Sequence, residues 1–85
     1  MTEFMSEIEV NLAAKNGTLD EVYGKYVNLL FRHGYSIDKV EAINNNYLDD
    51  PTNAEYIAER DAMKEYRAEC KVRARVFIAS CGCSL

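Results

Sequence analysis

Eighty-five residues make one domain, and a chain of that size buries only a modest share of its surface. Apolar residues at 48% and charged residues at 28% are the mixture of an ordinary globular protein, which excludes a disordered polyelectrolyte. The net charge of −4 is uneven: through Ala62, five Lys or Arg stand against twelve Asp or Glu, whereas from Met63 onward Lys64, Arg67, Lys71, Arg73 and Arg75 outnumber Glu65 and Glu69.

Helix-dipole matching and solvation account for such a split in the ordinary case. Its sharper meaning is a basic contact surface near the C-terminus opposite an acidic body, which suits head-to-tail or antiparallel pairing. No apolar run approaches the ~20 residues of a membrane span, so no membrane partner is expected. The opening Met1-Thr2-Glu3-Phe4-Met5-Ser6-Glu7 is acidic where a secretory signal is basic. Three cysteines make no closed disulfide framework, and Gly82 stands where a prenylation box needs its cysteine. A reducing cytoplasm is the expected compartment.

Thr2 to Ala14 reads two ways. As a helix, Phe4, Met5, Ile8 and Leu12 share one face, Ser6-x-x-Glu9 is a capping box and Asn16-Gly17 a stop. As a strand, Ile8, Val10 and Leu12 alternate with Glu7, Glu9 and Asn11. Propensity favours helix. A second helix follows Thr18, with Leu19, Val22, Tyr23, Tyr26, Val27, Leu29 and Leu30 as an apolar stripe and Gly34 as its end. Gly24 inside it costs roughly 1 kcal/mol relative to Ala, and suggests a close approach of another backbone. Ser36 caps a third helix with Ile37, Val40, Ile43, Tyr47 and Leu48 inward, fraying near Asn44-Asn45-Asn46 before the turn Asp49-Asp50-Pro51.

From Pro51, with Thr52-x-x-Glu55 as a capping box, no Gly or Pro interrupts the chain before Gly82. That predicts one helix of about 29 residues and roughly 43 Å. A strand at 72–76 is the rival, pairing with 7–10. Tyr56, Met63, Cys70 and Phe77 recur every seven residues, with Tyr66 and Ala74 on the same face. A compact sphere of this length has a diameter of roughly 31 Å, so three short helices would leave part of that face bare. Tyr56, Met63, Tyr66, Cys70, Ala74 and Phe77 are therefore the expected contact face of a homo-oligomer. The fold class this reading implies is all-α: a small bundle of three short helices plus one long C-terminal helix in a single domain covering residues 1–85.

Chemistry is scarce. His33 is the only histidine, Cys81-x-Cys83 lacks the spacing of a zinc knuckle, and no hydroxyl stands in a recognisable relation to a base. The glycines are too scattered to cradle phosphate. No metal, cofactor or catalytic residue is assigned. Leu30-x-x-x-Gly34-Tyr35-Ser36-x-x-x-Val40-x-x-Ile43 resembles a helix-turn-helix, although the would-be recognition helix presents Asp38 and Glu41, which phosphate repels. The His33-Gly34-Tyr35 turn is also similar to the Met-Gly-Phe loop of ubiquitin-associated three-helix domains, whose spacing is shorter than the distance here to Asn53-Ala54-Glu55.

The expected function is a non-enzymatic, acidic binding protein that sequesters or inhibits a macromolecular partner as a homo-oligomer. Accessory inhibitors made by viruses and mobile elements share this character. Two other classes stand beside it. A DNA-binding regulator would use the Lys64, Arg67, Lys71, Arg73 and Arg75 side. A nucleotide or other small-ligand binder would use an interface pocket lined by tyrosines such as Tyr23, Tyr26 and Tyr66.

Overall fold

The structure is a computed structural model and describes residues 5–83. It contains four helices: α1 (Glu7–Asn16), α2 (Leu19–Gly34), α3 (Ile37–Asp49) and α4 (Ala54–Ser80). Both segments with a strand alternative, 6–12 and 72–76, are helical or cap a helix. Three short helices and one long one is the architecture expected from the hydrophobic periodicity.

Local chemistry sets the ends. Ser6 caps α1 by accepting from the Glu9 N–H at 3.4 Å, and Gly17 closes it at φ 74°. The reciprocal half of that capping box is replaced. The Glu9 carboxylate turns to Lys25 and to the Tyr26 hydroxyl, each at 2.7 Å, while the Ser6 N–H donates to Tyr26. Those two hydrogen bonds hold the Glu9 carboxyl below its ordinary pKa.

Ser36 caps α3 as expected. At α4 the cap is Asn53, not Thr52: the Asn53 side chain accepts from the N–H groups of Glu55 and Tyr56. Thr52 instead closes the preceding turn on Asp50. The asparagine run is no barrier either, for α3 continues through Asn44-Asn45-Asn46 to Asp49.

The faces differ more from expectation than the elements do. In α1, Val10 and Ala13 are buried and Ile8 and Leu12 are exposed, because the Ser6–Glu9–Tyr26 bonds turn the Val10 side towards α2. Phe4 lies outside the described residues. In α3 only Ile43 is fully buried, and Ile37 and Leu48 point to solvent. Leu29 likewise sits at the exposed edge of α2. Gly24 has nothing within 4 Å of where a Cβ would be, so no backbone approaches it.

The long helix is unbroken over 27 residues, about 40 Å. The molecule measures 47 × 23 × 18 Å, so the spherical estimate from length does not hold. α2 runs antiparallel along the second half of α4: Tyr23 meets Arg75, Asn28 meets Arg67, and the Leu30 carbonyl meets Tyr66. Only Tyr35 and Ser36 separate α2 from α3, and α3 carries on towards the first half, where Tyr47 meets Arg60. At 16 and 13 residues, α2 and α3 laid end to end reach about 43 Å, the length of α4. Two short helices in series thus cover what one short helix could not. α3 packs chiefly on α4 and at most weakly on α2, unlike the locked pair of a helix-turn-helix. No described helix is long and apolar enough to cross a membrane.

Candidate interaction surface on the long helix

Four directions around α4 have different fates, and helical spacing separates them. Met63, Cys70, Ala74 and Ile78 point inward and are buried among Val10, Tyr26, Val27 and Leu30. Phe77 makes an edge-on contact with Tyr26 at 6.0 Å, and Tyr66 donates from its hydroxyl to the Leu30 carbonyl at 3.1 Å. Tyr56 is half-buried at the other end of the same face. The six residues expected to meet a second copy are therefore brought together, but mostly against the chain's own helices. That face is core. The surface argument for using it as an oligomer contact falls with the spherical estimate.

The five basic residues do not form one cluster. Lys64, Arg67, Lys71 and Arg75 follow one flank, spaced by three or four residues, and Arg60 continues the row towards the N-terminus. Arg73 lies on the other flank. There it lines an open groove of about 660 Å³ between α2 and α4, with Met5, Leu30, His33, Tyr66 and Phe77. The groove takes in Tyr66 but neither Tyr23 nor Tyr26. No group of three or more His, Cys, Asp and Glu among the described residues is placed to hold a metal ion.

The arginines of the basic row lie against aromatic rings, a feature not legible in the sequence. The Arg60 guanidinium lies 3.9 Å from the Tyr47 ring centre, Arg67 lies 5.1 Å from Phe31, and Arg75 lies 5.4 Å from Tyr23. Phe31 also carries Arg32 at 5.6 Å, and Tyr35, stacked on Phe31, carries Lys39 at 4.8 Å. Among the described residues only Lys25–Glu9 and Arg60–Asp61 are within ion-pair distance. Lys64, Arg67, Lys71, Arg73 and Arg75 thus meet no carboxylate at that range.

The consequence is chemical. A guanidinium laid against a ring is positioned by its face, while its N–H edges stay available to acceptors. Arg67 uses one edge on the Asn28 side-chain oxygen at 3.2 Å. Arg60, Arg67 and Arg75 are thus ring-supported donors for carboxylates or phosphates, with Lys64 and Lys71 exposed between them. No protein-family model, curated protein or solved structure matches this chain.

Proposed function

We propose that this chain is a non-enzymatic binding protein that sequesters or inhibits an acidic protein partner, docked on the row Lys64, Arg67 and Lys71 with Arg32 beside it. The observation that carries this reading is the Phe31 ring flanked by Arg32 and Arg67, both exposed and neither within ion-pair distance of a described carboxylate. Charge-assisted hydrogen bonds from such donors are stronger than neutral ones, and bidentate arginine contacts add geometric selection.

An acidic protein segment fits better than nucleic acid. The row is one flank of one helix, and the adjoining flank carries Asp61, Glu65 and Glu69. A narrow helical segment meets the cations alone, whereas a duplex meets the carboxylates too. A reducing cytoplasm suits three free thiols.

The test is capture from nuclease-treated lysate of the native host by the immobilised chain, beside the triple variant K64E/R67E/K71E. A single protein species should be retained by the wild type, released by salt and lost to the variant. Equal retention by the variant, or retention that nuclease abolishes, removes the reading.

A further inference from the structure

Two exposed helix faces remain outside both the core and the proposed partner site, the second sharing Arg75 with the basic row. On α3, Ile37, Glu41, Asn44 and Leu48 recur at intervals of four, three and four residues, and all four are exposed, with Ile37 at 60% and Leu48 at 74%. On α4, Ala68, Val72, Arg75 and Ala79 recur at the same intervals and are also exposed, with Val72 at 56%. This is the spacing with which one helix seats against another along a seam.

The two faces are complementary in size and in charge. Laid antiparallel, they set Ile37 on Ala79, Leu48 on Ala68, Asn44 against Val72 and Glu41 beside Arg75. A large side chain thus meets a small one at each end of the seam. The segment Ser36–Asp50 holds Asp38, Glu41, Asp49 and Asp50 against Lys39 alone, whereas Ala68–Ser80 holds Lys71, Arg73 and Arg75 against Glu69 alone. Within one subunit the faces cannot meet. α3 packs on the first half of α4, with Tyr47 over Arg60, and its outer face looks away from the far end of that helix.

We infer that the outer face of α3 in one copy docks on the outer face of the second half of α4 in another, a head-to-tail contact between copies of this chain. Two different patches meet in such a contact, so it propagates unless geometry closes it into a ring. The exposed apolar side chains Ile37, Leu48 and Val72 then lose their water, and the acidic and basic ends of the chain neutralise each other. This interaction stands apart from the partner site above, because none of Arg32, Lys64, Arg67 and Lys71 lies on either seam.

Sedimentation velocity on the full chain across a wide concentration range tests it. The weight-average mass should climb from 9.7 kDa beyond that of a dimer, and fall back as salt rises. Ile37→Asp with Leu48→Asp breaks only the α3 face, and Val72→Asp breaks only the α4 face. All three positions are exposed, so both variants should keep the wild-type helical circular dichroism. Each variant alone should associate at least about tenfold more weakly than the wild type. Mixed in equal amounts, they should form a one-to-one dimer that grows no further, since one intact pair of faces remains. A wild type that stays monomeric, a variant that associates like the wild type, or a mixture that does not pair would each overturn the inference.

Discussion

Gly34 and Tyr66 compete for one volume. A Cβ built on Gly34 falls 2.6 Å from the Tyr66 ring and from its hydroxyl oxygen, the same hydroxyl that donates to the Leu30 carbonyl. Tyr66 also packs on Tyr35 and Phe31, so its ring cannot swing away without disturbing the junction of α2 and α3. Gly34→Ala is therefore expected to cost about 1–3 kcal/mol, read as a lower denaturation midpoint at unchanged slope. Gly24→Ala, in the same helix with open space around it, should instead gain up to about 1 kcal/mol. Sequence alone led to the opposite assignment, giving Gly24 the close neighbour and Gly34 only a helix end. The residue that decides the matter is far along the chain, and no local pattern reports it.

At the scale of elements, α1 shows how a correct helix can present an unexpected face. Its cap, its length and its stop are legible because they depend on residues three or four apart. Its orientation depends on Tyr26 and Lys25 of α2, which draw the Glu9 carboxylate across and bury Val10 beside it. Val10→Ala is expected to lose about 2 kcal/mol of stability in thermal unfolding, while Ile8→Ala stays within about 0.5 kcal/mol. Equal effects at the two positions would mean that α1 is turned as the simple apolar count suggested. The candidate site divides in the same way. The periodicity of the basic residues puts Lys64, Arg67, Lys71 and Arg75 on one flank and Arg73 on another. The aromatic rings under Arg60, Arg67 and Arg75 belong to α2 and α3, and only packing brings them under the cations.

Across the whole molecule, α4 is a spine, and its inner face is reached only by separating it from the helices packed along it, α2 and α3 foremost. Cys70 sits on that face at 1% exposure, and burial pushes its thiol above the ordinary range. Cys81 and Cys83 lie at the rim beyond the helix end and are partly exposed. A thiol reagent under native conditions should therefore modify two cysteines quickly and the third only as fast as the bundle opens; in denaturant all three should react alike. Three fast thiols in the native protein would show that the inner face of α4 is bare in a lone subunit.

The helical class, the number of helices, most of their caps and the unbroken length of the last one follow from residues within a few positions of each other, where backbone hydrogen bonds and side-chain caps are formed. Tertiary structure alone decided which faces are spent. Because just Tyr35 and Ser36 join α2 to α3, the two follow one another along α4 and together match its length, so the stripe through Met63, Cys70 and Ala74 is shielded inside one chain. A stripe of apolar residues announces that it will be buried; which surface buries it depends on the path of the chain between helices, and that is set by contacts far apart in sequence.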